Sequence, residues 1–287
     1  MEGFLIKKTI KITNFIIFFQ VILIFILNNI SFAGAWGMKK GNLYERISFN
    51  YYFTNKDYNL NGDVVDFANN GSFSDYNINN YLEYGLNDNL TIINSFYLKR
   101  LRKNDYTIEQ KTYGIGDIDI GAKMQIMKLA GGVLSGQMLT KIPWAYEKDN
   151  KLPLGNGQFD FEIRLLYGHT LYPIISGYCN FEAGYRWRLE EPSDEIRYLI
   201  EIGLDITKEI YGRVKLDGVL SADNGKDIYL NGNPTATNNY DIGKIDAVIG
   251  YKINKSWGLE AGYIPSIYGK NIAKGSTYTL AITYQML

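Results

Sequence analysis

The stretch Gln158-Phe159-Asp160-Phe161-Glu162-Ile163-Arg164-Leu165 decides the fold class. Phe159, Phe161, Ile163 and Leu165, continued by Tyr167, fall on one parity, and Gln158, Asp160, Glu162 and Arg164 fall on the other. Successive side chains of a strand point to opposite faces, whereas a helix repeats every 3.6 residues, so this segment reads as a two-faced strand.

The pattern recurs on both sides of it. Ile118, Ile120, Ala122, Met124 and Ile126 alternate with Asp117, Asp119, Lys123 and Gln125. Phe181, Ala183, Tyr185 and Trp187 alternate with Asn180, Glu182, Arg186 and Arg188. Ile196, Ile200, Ile202 and Leu204 alternate with Arg197, Glu201 and Asp205, and Val214 and Leu216 with Arg213, Lys215 and Asp217. The spacing predicts twelve strands, at 43–54, 75–86, 90–100, 114–127, 132–142, 157–171, 176–189, 195–206, 210–221, 239–253, 257–265 and 276–287. The third, fifth and eleventh alternate poorly. No helix longer than two turns is expected after residue 33.

The connections alternate as well. Short links at 87–89, 128–131, 172–175, 207–209 and 254–256 interleave with longer ones at 55–74, 101–113, 143–156, 222–238 and 266–275, with 190–194 short. Short turns on one side and long loops on the other, with an even strand count, describe a transmembrane antiparallel up-and-down β-barrel. Strands of this length cross a bilayer at a tilt and leave ends for aromatic girdles, to which Tyr44, Tyr84, Tyr167, Tyr185, Trp187, Tyr251, Trp257 and Tyr263 are assigned. A soluble β-sandwich would also alternate, but it gives no reason for the loop pattern.

Composition narrows the function. The 287 residues carry 30 basic and 30 acidic side chains, which offers no basic excess for nucleic acid. One cysteine excludes an internal disulfide framework and cysteine-cluster metal sites, and one histidine excludes two-histidine zinc motifs. No cofactor or metal is expected. His169, on the outward parity, has no serine-plus-acid arrangement pointing to it, so no enzyme is expected. Residues 1–33 read as a secretory signal peptide: Lys7, Lys8 and Lys11, then an apolar run to Leu27, then Ser31-Phe32-Ala33 before a cut. The expected location is the bacterial outer membrane.

Several motifs resemble a family of bacterial outer-membrane barrels typified by the proteins of phenol meta-pathway (MetA-type) operons, and distantly similar to hydrophobic-substrate channels. They are Gly34-Ala35-Trp36-Gly37, Gly114-Ile-Gly-Asp117-Ile-Asp119-Ile-Gly121-Ala-Lys123, Leu152-Pro-Leu-Gly155-Asn-Gly157-Gln-Phe-Asp160, Glu182-Ala-Gly-Tyr185-Arg186-Trp-Arg188 and Gly262-Tyr263. The resemblance covers most of 34–287 and implies an outer-membrane barrel as one domain. Tyr284-Gln-Met-Leu287 departs from the family's usual terminal aromatic, the feature read by the barrel-insertion machinery.

Closing the sheet turns the polar parity inward. Asp117, Asp119, Lys123, Asp160, Glu162, Arg164, Glu182, Arg186, Arg188, Arg197, Glu201, Arg213 and Asp217 are the expected lumen residues, either bracing the wall as ion pairs or biasing which solutes pass. The expected partners are outer-membrane lipids, the insertion machinery and small solutes. Passive passage of small solutes is the expected function; a non-transporting surface barrel, for adhesion or envelope and polymer-export assembly, is the alternative.

Overall fold

The structure, a computed structural model, describes residues 34–143, 146–147, 149–226 and 232–286. The expected signal peptide lies outside the described residues. Thirteen strands follow in order: β1 (Leu43–Tyr58), β2 (Val64–Asp66), β3 (Ser72–Gly85), β4 (Leu90–Asn104), β5 (Glu109–Leu129), β6 (Gly132–Ile142) and β7 (Asp160–Thr170). After these come β8 (Gly177–Arg188), β9 (Glu195–Asp205), β10 (Ile210–Ser221), β11 (Asp241–Lys252), β12 (Trp257–Lys270) and β13 (Ile272–Met286).

Twelve of them form a closed antiparallel barrel. Sequence neighbours pair all the way round, and β1 pairs with both β3 and β13, in register from Leu43↔Met286 upward. Closure removes every sheet edge, which a bilayer requires because it offers no water to an unpaired backbone group. The remaining strand, β2, is a three-residue addition to the tip of β1 within the first long loop.

The distribution of polarity is inverted relative to a water-soluble protein. Phe49, Leu165, Val214 and Leu280 are each more than half exposed on the outer wall, while Glu83, Lys123, Asp160 and Glu162 are at most 1% exposed inside. Apolar side chains facing out and charges facing in are stable only where the surroundings of the wall are lipid. Aromatic rings mark its margins: Phe161 stacks on Trp187 at 5.7 Å near the loop end, and Trp257 meets Tyr284 at 4.7 Å near the turn end.

Three expectations need correction. First, several strands run past their expected limits at the loop end, while β7 and β11 begin two or three residues later than expected. β1 ends at Tyr58, not 54; β4 at Asn104; β5 begins at Glu109; and the expected loop 266–275 is almost all strand, turning at Asn271 with φ 55°. Beyond the bilayer both faces of a strand meet water, so alternation lapses there (Lys103-Asn104, Glu109-Gln110-Lys111) although the hydrogen-bonded ladder continues. Second, Tyr44 is not in the girdle: it is 9% exposed and lines the lumen. Third, tyrosines fill part of the interior as well as the margins. A Cβ built on Gly203 would stand 2.3 Å from the Tyr178 ring, and one on Gly250 would stand 2.0 Å from that of Tyr211, so each ring lies flat on a glycine of the next strand.

The poorly alternating strands face as the ladder dictates. Thr91 and Ile93 on β4, Val133 and Ser135 on β6 and Glu260 on β12 point inward. Their apolar and small members pack against chain that enters the barrel, which is why polarity alone misreads them.

Candidate functional site

All thirteen lumen residues expected from the sequence point inward, in two tiers that overlap at Arg164 and Glu182. The upper tier, toward the loop end, is a continuous ion-pair network on β5–β9. Lys141 pairs with Asp160 at 2.5 Å and Asp117 at 3.8 Å. Glu162 binds Arg164, and Arg186 at 2.7 Å, while Arg164 reaches Glu182 at 2.9 Å. Glu195 collects Arg188 at 3.3 Å and Arg197 at 3.2 Å. Acids and bases match in number here, as expected of cross-strand bracing in which each buried charge needs an opposite neighbour. Asp160, Glu162, Arg186 and Arg188 do not line the central cavity.

The lower tier does. A cavity of about 630 Å³ occupies the middle of the barrel, bordered by Asp119, Lys123, Arg164, Glu182, Glu201, Arg213 and Asp217 among the expected residues. It also meets Arg46, Asp75, Glu83, Lys215, Lys244 and Asp246, which complete the charge lining. Most of these are paired: Lys123 with Glu83 at 3.1 Å, Lys215 with Asp246 at 3.1 Å, Lys99 with Asp75 at 3.3 Å, and Arg213 with Glu201 at 3.6 Å. Asp119, Asp217 and Lys244 border the cavity without an ion pair within 4 Å among the described residues. Asp217 and Lys244 are register partners across β10 and β11, so opposite charges face the same space from one level of the wall.

Segments from both ends enter the barrel. At the turn end, the segment 34–38 folds inward ahead of β1. Its Ala35 N–H donates to Asn180 Oδ1 at 3.1 Å and its Met38 N–H to Thr91 Oγ1 at 2.8 Å, while Ser135 Oγ donates to the Ala35 carbonyl at 2.5 Å. Ala35 is fully buried with Val133 and Leu166. Trp36 fills the space over Gly168, where a Cβ would lie 2.4 Å from its ring.

At the loop end, Leu152 and Leu154 of the connection between β6 and β7 are 1–2% exposed and pack on Phe73 of β3 and Leu101 of β4. Gly155 passes so close to Asp117 that a Cβ would sit 2.5 Å from its carboxylate. Tyr146 donates to Asp117 and accepts the Gly157 N–H at 2.9 Å; burial, then the neighbouring Asp117 charge, pushes its phenol pKa up. Asn233 ties the loop before β11 to this plug through the Pro153 carbonyl at 2.7 Å. In the short link before β9, burial opposes ionisation of Asp194, but the Arg188 N–H, Asn224 amide and Tyr185 hydroxyl hold its carboxyl below the ordinary range.

An outer membrane channel from Pseudomonas putida F1 superposes with a TM-score of 0.71 at 14% identity, covering 90% of this chain and 100% of that one. The NanC porin superposes with a TM-score of 0.53 at 9% identity, covering 84% of this chain and 100% of the porin. The fold is that of outer-membrane channels. No protein family matches the sequence, and no curated protein matches it. The likeness therefore lies in the barrel, and the lumen must be read from its own residues.

Sequence reading missed Arg46, Glu83, Glu195 and Glu260 as site residues. Glu260 accepts from Arg46 at 2.7 Å and from Tyr211 at 2.8 Å, a junction of β1, β10 and β12. Its strand hides the signal because Gly258, Gly262 and Ile264 share the inward parity of Glu260, which leaves a single charge there against the outward Trp257, Leu259, Ala261 and Tyr263. His169 faces outward near the turn end, where its Nδ1 lies 3.0 Å from the Tyr167 hydroxyl. Cys179 occupies the outward parity beside Tyr178 and Asn180.

Proposed function

We propose that the barrel passes small solutes passively through its charged lumen, with the cavity lined by Asp119, Asp217 and Lys244 as the selecting compartment. The observation that carries this reading is the cavity itself: open space in mid-membrane, bordered by charges of both signs, some of them uncommitted to the wall. Narrow lumens lined by charge bias solutes by sign, and a twelve-stranded wall lies between filled eight-stranded barrels and open sixteen-stranded porins. The upper network, Arg186 and Arg188 included, braces the barrel in this reading.

The inserted segments favour a channel closed at rest. They also support the second reading, a barrel that displays its loops and transports nothing. Single-channel recording in planar bilayers separates the two. The protein with Leu152 and Leu154 both changed to Asp is expected to show discrete conductance steps larger than those of the wild type. Lys244→Glu is expected to shift the reversal potential toward cations, and Arg188→Gln to leave it unmoved. Silence of wild type and gate variant at every voltage would favour the non-transporting barrel. The resemblance to phenol meta-pathway proteins and hydrophobic-substrate channels supplies the first solutes to compare in vesicle uptake: small phenols against zwitterionic amino acids.

A further inference from the structure

The outer wall carries a feature that solute passage does not use. On β4 the inward parity is fixed by Lys99, paired with Asp75 in the lumen, and by fully buried Leu101. Arg100 and Arg102 therefore face outward, on the side occupied by lipid. Arg100 is the register partner of Tyr76 on β3 and Tyr113 on β5, and Arg102 is the partner of Lys111 on β5. Three cations thus share one outward patch. One carboxylate answers them: Glu109 takes Arg102 at 2.8 Å and Lys111 at 3.0 Å. Arg100 is exposed and makes no ion pair or hydrogen bond among the described residues.

The height of the patch is set by the ladder. Ile92 is the register partner of Tyr84, a ring at the turn-end margin, and Arg100 lies eight residues further along the same strand. At about 3.4 Å per residue and a tilt of about 40°, that is roughly 20 Å of height, against an apolar band of about 25 Å. Arg100 thus reaches the outer margin of the hydrocarbon, and Arg102 and Lys111 stand above it. A cation on the lipid face costs roughly 2–4 kcal/mol at the midplane and little at the margin. Directly below lies a furrow of about 840 Å³ on the outer wall, bordered by Phe49, Tyr51, Tyr76, Ile78, Leu98 and Tyr113, with Arg100 at its rim.

We infer that this patch and furrow form a site for a phosphorylated outer-leaflet lipid, one acyl chain lying in the furrow and its phosphate on Arg100, Arg102 and Lys111. Guanidinium groups bind phosphate in a fork, and the apolar slot supplies what free phosphate cannot use. The inference rests on the membrane-spanning barrel and is independent of whether solutes pass.

Native mass spectrometry of the protein extracted from bacterial outer membranes tests it, with bis-phosphorylated lipid A, its dephosphorylated counterpart and inorganic phosphate as probes. The phosphorylated lipid is expected to half-saturate the wild type at about tenfold lower concentration than the dephosphorylated one. R100Q/R102Q/K111Q is expected to lose that preference while keeping the heat-modifiable electrophoretic band of a folded barrel. Equal retention of both lipids by the wild type overturns the inference, as does displacement by millimolar inorganic phosphate, which would mark a plain anion site. If the triple variant fails to fold, the wild-type comparison of the two lipids decides alone. Conductance unchanged in the variant separates this site from the lumen.

Discussion

Lys123 and Glu83 are both 1% exposed, and the ammonium of Lys123 also donates to the Gly34 carbonyl. Removing one member of such a pair leaves a bare charge in a low-dielectric interior, whereas removing both leaves only a packing change. Glu83→Gln is expected to destabilise the folded barrel by about 3 kcal/mol in denaturant titration, and Glu83→Gln with Lys123→Met to recover most of that loss. Additive losses would show that the two side chains are not coupled. Gly250→Ala is a sharper steric test. Its methyl would enter the Tyr211 ring, so a cost of about 1–3 kcal/mol is expected, relieved by Tyr211→Leu. Thirteen lumen residues were legible because each has an outward apolar neighbour, on both sides for most and on one side, with glycine on the other, for Asp117, Arg213 and Asp217. Arg46 and Glu83 were not, since β1 and β3 place Asn50, Asn77, Asn80 and their tyrosines on both parities.

The strands themselves were readable where they cross lipid and less so above it, where water on both faces removes the pressure to alternate. The inserted segments left a fainter trace. Leu152 and Leu154 are apolar residues directly after the polar run 147–151, and Trp36 is a large ring ahead of the first strand; both now pack inside the barrel. Each can be moved without touching a strand pairing. Gly168→Leu is expected to expel Trp36 and make the bond after Lys39 or Lys40 a site for trypsin, with the folded barrel otherwise intact. Protection equal to wild type would mean that the segment holds its place without that glycine. The link before β9 responds to acid instead. Asp194 has its folded pKa depressed, so its hydrogen bonds contribute stability that is present above the unfolded carboxylate range and lost as pH falls through the folded value. Asp194→Asn is expected to flatten that part of the stability profile at low pH.

At the scale of the whole barrel, outward grease and inward charge agree with the ring of pairings, and neither could be changed alone. The sequence pattern specifies the ring but not what stands inside it, because alternation reports which face a residue takes and not what approaches that face. The ring also has a temporal consequence. The partner of β1 on one side is β13, the final described strand, so the first strand of the barrel must wait for the last before its second edge is satisfied. A chain ending at Lys270 keeps eleven of the twelve staves yet holds two bare margins at once, and such a product should be cleared by envelope proteases or clump instead of inserting.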